Sequence, residues 1–324
     1  MVTRRQILPA ASAMGLFAAL PPRPALAQSW PTRPIRMIVA FAPGGFTDIA
    51  ARLLAERLSA SLGQPVTVDN RAGAAGIIGT EAAARSTPDG YTVLMGTIST
   101  HAMNVGLYRS LAYDPVSDFA PVSGVATSPN LLVAHPSKGI RDVAALIARA
   151  RAEPGVLTYG SGGNGTSSHL AGELFKSLTS VDLLHVPFRS TAPAASAVLA
   201  GQVDLMFDTL PSSLPHAREG RLVPLGVTSA NRQTGLPAIP AVAETVPGFE
   251  MGVWTALFVP AATPLPIIER LDAATREALP QLGARFAELG LEPLVSSPQA
   301  TSAYLRAEIG KWTQVIRNAG ITAD

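Results

Sequence analysis

"VAFAPGGFTDIAARLLAERL", residues 39–58, reads as the end of a hydrophobic strand, a Pro-Gly-Gly turn and a helix. Ile49, Leu53, Leu54, Leu58 and Leu62 recur at helical spacing, which supports the helix. Pro43 restricts the backbone on entry, and Gly44 and Gly45 leave the main chain open to a ligand. Thr47 or Asp48 is placed to cap the helix by accepting backbone N–H groups. The remaining free N–H groups carry partial positive charge and favour a carboxylate. Phe46 stands at the helix start, and Asp48 repels such a ligand unless the cap or a ligand amino group absorbs its charge. A tight turn with a helix cap accounts for this loop equally well when it is taken alone.

The same plan returns at residues 157–175, "LTYGSGGNGTSSHLAGELF". Gly160, Gly162 and Gly165 spell G-x-G-x-x-G between a strand and a helix, and Asp182 follows 17 residues past Gly165. Those features are the case for a nucleotide-dependent enzyme. Against it, Asp182 precedes its strand, whereas a ribose-binding acid normally ends one. The loop also carries Ser161, Asn164, Thr166, Ser167 and Ser168 around Gly162, Gly163 and Gly165. Small neutral donors of this kind, with helix N-termini, can hold a small dicarboxylate without an Arg clamp. Release then breaks no buried ion pair.

Thr97 and Ser99 sit at another strand end, in "MGTISTHAMN", as neutral donors. Asp208 ends the strand in "DLMFDTLPSSLPH", where it either enters a cleft or starts a turn with Pro211. His169 and Glu173 are four residues apart on a helix, but no third metal ligand stands nearby, so a cap or surface role is expected for His169. His135 and His185 lie beside prolines at strand ends, where packing is the default reading. The chain has no cysteine, no G-x-S-x-G elbow and no G-x-x-x-x-G-K-[ST] loop. No catalytic nucleophile, metal or cofactor is expected. Aromatic residues are only 6%, which argues against a sugar-stacking platform.

Residues 1–27 read as an export leader and stand outside the fold. Thr3-Arg4-Arg5-Gln6-Ile7-Leu8 resembles a twin-arginine signal, although the general secretory route stays open. The apolar stretch from Ala10 to Leu20 is about half of the ~20 residues that cross a bilayer. Ala25-Leu26-Ala27 is an A-x-A cleavage site, leaving Gln28 first and a periplasmic product with no membrane insertion. The chain has 25 basic and 23 acidic residues; the leader holds three of the basic and none of the acidic ones. The remainder is therefore near neutral, which gives no support to a nucleic-acid partner.

Beyond the leader, short apolar runs alternate with amphipathic segments, which argues an α/β class with βαβ units and mainly parallel strands. "APVSGVATSPNLLVAHP", residues 120–136, is a long extended stretch interrupted at Ser128-Pro129-Asn130. "LVPLGVTSANR", residues 222–232, is a second long extended stretch and a candidate return crossing. The expected organisation is one domain from residues 28–126 plus 229–324 and another from 127–228. The tail reads as a helix from about Pro266 to Leu279, a further helix, the strand "LEPLV" and a last helix through Trp312. Ligands in open α/β sheets bind beyond the carboxyl ends of strands, so the two glycine loops face a shared cleft.

The ordered set "RPIRMIVAFAPGGFTDIAARLLAERL", "NRAGAAGIIGTEAAARSTPDGYTVLMGT", "YDPVSDFAPVSGVATSPNLLVAHPS", "YGSGGNGTSSHLAGELFK" and "AGQVDLMFDTLPSSLPHAREGRL" resembles the Bug family. These are periplasmic solute receptors of tripartite tricarboxylate transporters. The resemblance implies a type II periplasmic-binding-protein fold, two α/β domains joined by two crossover strands, with an interdomain cleft that closes on ligand. It implies a monomeric binding protein for a small organic carboxylate, often a dicarboxylate, held by the loops Pro43–Asp48 and Ser161–Ser168 with ordered water. It further implies a large and a small permease subunit as membrane partners; a signalling receptor would use the same fold. Phe46 departs from the family, where this position is usually small and often Gly. "VPFRSTAPA" departs from the more usual "VPYKGSAPA", so Phe188 lacks a tyrosine hydroxyl.

Overall fold

A computed structural model describes residues 30–233, 235–318 and 320–322. The leader, its cleavage site and Gln28 lie outside the described residues. The alternating pattern yields βαβ units: β1 (Ile35–Val39), α1 (Phe46–Leu62), β2 (Val66–Asn70), α2 (Ile77–Ala84) and β3 (Thr92–Thr97), with β1 parallel to both β2 and β3. After β3 the chain forms a π-helical turn, Ser99–Met103, and a short helix α3, Asn104–Leu107.

Residues 120–134 of the long stretch lie within one unbroken strand, β4 (Phe119–Ala134), and His135 and Pro136 lead into the turn that follows. Its partner changes along its length. From Phe119 to Pro129 it pairs antiparallel with β9 (Gly252–Pro260). From Asn130 it pairs with β7 (Leu205–Thr209), and from Leu131 with β8 (Val223–Val227) as well. Pro129 does not break the strand because it closes the β9 ladder, and the next amide, Asn130 N–H, donates to the Thr228 hydroxyl at 2.7 Å. A proline lacking its N–H is tolerated where no ladder bond is required.

β4 is therefore shared by two sheet halves. One runs β2-β1-β3-β9-β4; the other runs from β4 through β7 and β5 (Thr158–Ser161) to the edge strand β6 (Leu184–Pro187). Between these strands lie α4 (Val143–Ala152), α5 (Ser167–Thr179), α6 (Thr191–Leu199) and α7 (Leu210–Arg218). The return connection is extended only through β8. Thr228 then pins it, donating its amide to the Asn130 carbonyl at 2.9 Å, and Ser229–Asn231 bend away.

The tail differs in one respect. A single helix, α8 (Leu265–Glu288), replaces the two expected around Pro280. Pro280 is solvent-exposed, while Leu279, Leu282 and Phe286 are buried, so core packing on both sides outweighs the lost backbone bond. β10 (Glu292–Pro293) and α9 (Pro298–Asn318) complete the chain.

Candidate functional site

The first loop ends without a side-chain cap. Gly44 has φ +90°, Gly45 is the N-cap residue, and α1 starts at Phe46. The expected capping by Thr47 or Asp48 does not occur, because Asp48 already has other donors. It accepts from the Gly44 amide at 3.0 Å, Arg52 Nε at 2.9 Å and Asn70 Nδ2 at 2.9 Å. Burial alone raises the Asp48 pKa. The bonds from Arg52, Gly44 and Asn70 outweigh it and hold the carboxyl below its usual value. The anion is thereby absorbed within the loop, and the first-turn amides of α1, on residues Phe46 to Asp48 that line the cavity, have neither an intrahelical acceptor nor a side-chain cap.

The second loop uses its amides internally. Gly162 N–H donates to Ser168 Oγ at 2.9 Å, Gly163 N–H to Ser161 Oγ at 3.0 Å and Gly165 N–H to His169 Nδ1 at 3.2 Å. Thr166 Oγ1 donates to the Gly163 carbonyl at 2.7 Å. None of those three glycine amides is left to cradle a pyrophosphate, which removes the structural basis of the G-x-G-x-x-G reading. Behind the loop, His169 stacks on His185 at 4.3 Å, and His185 Nε2 meets Ser161 Oγ at 2.6 Å. His169 is thus a buried brace of the loop rather than a surface group. Because it accepts from Gly165, its neutral ring carries the proton on Nε2. Burial lowers the pKa of both rings; for His185, with His169 adding to the effect, it falls to about 4. Glu173, which accepts from Tyr159 Oη at 2.6 Å and from Lys176 Nζ at 3.1 Å, and Lys176 itself are the charged groups beside the pair.

The loops face each other across a cavity of about 470 Å³, open solvent included. Gly45, Phe46, Thr47 and Asp48 line it from the start of α1; Gly162, Thr166 and Ser167 line it from the second loop and the start of α5. Thr191 comes from the first residue of α6, and Thr209 is the N-cap of α7. Thr97, Ile98 and Ser99 close one side. Hydrogen bonds that span the gap among the described residues include Ser167 N–H to Ser99 Oγ at 3.3 Å and Tyr108 Oη to the Asn164 carbonyl at 3.4 Å. Four α-helix starts thus meet one space that no Lys, Arg or His lines. Their partial positive ends favour an anion there. Thr209 Oγ1 is buried with no hydrogen-bond partner among the described residues.

Of the residues singled out in sequence, nine line the cavity. Pro43 and Gly44 are exposed on the outer side of their turn, and Asn164 is exposed with only its carbonyl engaged. Ser161, Gly163 and Gly165 brace the second loop from within. Asp208 does not reach the cavity. It is fully buried, accepts from the Thr209 amide at 2.8 Å and from Ser213 Oγ, and burial pushes its pKa up to about 6. Its neighbour Thr209 takes the position instead, because adjacent strand residues point to opposite faces. Phe41, Thr191, Val253 and Trp254 also line the cavity and were not foreseen. Thr191 stands just before the apolar helical run from Ala192 to Leu199, a signal that could have found it; the apolar run of β9 marks a strand but not that Val253 and Trp254 reach the cavity. Among the described residues no group of three His, Cys, Asp or Glu is placed to hold a metal.

The chain matches the family described as "Tripartite tricarboxylate transporter family receptor" over residues 50–321. BugT of Bordetella pertussis is 39% identical over 301 residues, covering 92% of this chain and 92% of BugT. The solved structure of R. palustris Rpa4515 with adipate is 40% identical, has a TM-score of 0.88, and covers 90% of this chain and 99% of that one. MatC (Rpa3494) from Rhodopseudomonas palustris with bound malate is 34% identical at a TM-score of 0.83, covering 89% of this chain and 100% of MatC. These are binding receptors rather than enzymes. The α/β architecture, the loop-lined cavity and the matched length lead to one conclusion: the chain belongs to the tripartite tricarboxylate transporter receptors, a family of periplasmic solute-binding proteins.

Proposed function

We propose that this receptor captures a small organic carboxylate between the first and second glycine loops and delivers it, unaltered, to the permease subunits of a tripartite tricarboxylate transporter. The observation that carries the reading is the meeting of the α1, α5, α6 and α7 starts on one cavity without a cationic side chain. Amide dipoles and hydroxyls there bind an anion reversibly, with no ion pair to break on release. Relatives solved with adipate and malate support the same ligand class. The ligand-contacting set is Gly45, Phe46, Thr47, Thr97, Ser99, Gly162, Thr166 and Ser167, with Asp48 and the rest of the second loop acting as braces.

Residues 28–126 plus 229–324 and residues 127–228 form the two lobes of this proposal, hinged where β4 changes partner at Asn130. Ser167–Ser99 and Tyr108–Asn164 then act as contacts of the closed state. Cleavage after Ala27 releases a monomer into the periplasm. The test is thermal unfolding of the processed protein against adipate, malate, succinate and benzoate, each beside its amide counterpart. A ligand at a hundred times its Kd adds about 2.7 kcal/mol to stability. Stabilisation by acids and not by amides is the expected result. Stabilisation by amides alone, or by no acid at millimolar concentration, overturns the reading.

A further inference from the structure

The walls of the cavity differ in chemistry. Every apolar side chain lining it comes from the first sheet half: Phe41 and Phe46 from the loop after β1, Ile98 after β3, and Val253 and Trp254 from β9. The second half supplies Gly162, Thr166, Ser167, Thr191 and Thr209, which are glycine and hydroxyl residues. The polar wall and the α1 start come together at one end. A Cβ added at Gly45 would stand 3.0 Å from Thr191 Oγ1, and one at Gly162 would stand 3.1 Å from the Thr191 amide. That approach is too close to admit a further group between them, so the α1 and α6 starts bear on the same end of the cavity.

Resting on the carboxylate reading, we propose that the ligand is a carboxylate with an extended apolar body, either a chain of several methylenes or an aromatic ring, and that Phe46 sets this preference. Phe46 is suited to the role: the residue is 4% exposed yet lines the cavity, and it is the first residue of α1, among the first-turn amides of that helix. The side chains of Phe46, Ile98 and Val253 offer no donor or acceptor to a ligand hydroxyl laid against them, the hydroxyl and carboxylate groups that line the cavity from the first half being confined to Thr47, Asp48, Thr97 and Ser99. A methylene laid there leaves water, and each one buried raises affinity about fourfold.

The experiment is isothermal titration of the wild-type chain with succinate, glutarate, adipate, benzoate and malate, repeated on Phe46→Gly and Phe46→Leu. Wild type is expected to tighten about three- to fourfold per methylene from succinate to adipate. Adipate or benzoate is expected to exceed malate by about tenfold or more. Phe46→Gly is expected to bring malate within about threefold of adipate, and Phe46→Leu to keep the aliphatic preference while losing benzoate. Phe46 belongs to the core, so circular dichroism establishes folding of each variant first. If Phe46→Gly does not fold, the Phe46→Leu loss of benzoate relative to adipate decides the role of the ring. Equal wild-type affinity for malate and adipate overturns the apolar-body proposal and leaves the carboxylate reading intact. Binding of none of these acids defeats that reading itself. An unchanged ranking in Phe46→Leu and Phe46→Gly removes Phe46 from the role.

Discussion

The two glycine loops share a plan and differ in how they treat their own polar groups. In the first, one carboxylate, Asp48, gathers Gly44, Arg52 and Asn70, and the first-turn amides of α1 are left without a side-chain cap. In the second, Ser161, Ser168 and His169 each take a glycine amide, so the loop offers hydroxyls and a braced backbone. The first is held by a charge and presents dipoles; the second is held by neutral groups and presents side chains. Similar strand-glycine-helix sequences thus complement an anion in two ways, and the loops should fail under different perturbations.

The largest effect is expected at Asp48. Asp48→Ala strands the Gly44 amide and removes the partner of Arg52, with an expected loss of about 2 kcal/mol in urea unfolding and at least tenfold in carboxylate affinity. A stability within 0.5 kcal/mol of wild type, a threshold of about a third of one such hydrogen bond, would show that the first loop does not depend on its anion.

Next comes the histidine pair. His169→Leu removes the acceptor of the Gly165 amide and is expected to cost about 1 to 2 kcal/mol, with His169→Gln recovering part of it by keeping an acceptor. The same pair gives the second loop its own pH window. The folded pKa values of His169 and His185 lie below the unfolded value of about 6.5, so the folded rings stay neutral where the unfolded chain charges them. Stability is full above that value and falls as pH drops from it toward about 4, the folded value of His185. Asp48 is also depressed, but from a carboxyl value, so its contribution persists through that range and is lost only below about 4. Hydrogen-exchange protection, corrected for the intrinsic rate, is therefore expected to fall at pH 5 in residues 161–168 before residues 43–48. Simultaneous loss in both segments would erase the distinction.

The smallest contrast is between two threonines that both line the cavity. Thr166 Oγ1 donates to the Gly163 carbonyl and bonds Ser168 Oγ at 3.0 Å, whereas no hydrogen bond holds Thr47 Oγ1 among the described residues. In the free protein Thr166→Val is expected to cost about 1 kcal/mol and Thr47→Val under about 0.5, read from urea midpoints. Equal costs would mean that the second loop is not held by its own hydroxyls.

The βαβ pattern, both glycine loops and the change of sheet half in residues 120–136 were legible because each is a local signal: period, turn chemistry or helix start. Asp48 could not be interpreted the same way. Its partner Asn70 ends β2, and only the parallel register of β1 against β2 brings Asn70 to the α1 start. Asp208 was legible as a strand-end residue, but the face it occupies depends on the pairing of Leu131 with Asp208 and Asn130 with Thr209. Pro280 showed as a helix stop because its solvent-facing position inside α8 follows from packing.

By itself the sequence determined the order of strands and helices and the neutral, hydrogen-bonding character of the two loops. It also determined which family the chain resembles, since short-range backbone preferences and composition act along the chain. The tertiary structure alone decided which amides remain free, which face of the cavity is apolar, and that Thr191, Thr209, Val253 and Trp254 share a space with residues 45–48. Those properties depend on strand register and on contacts between residues more than 100 positions apart, where solvent exclusion, not local conformation, selects the neighbours.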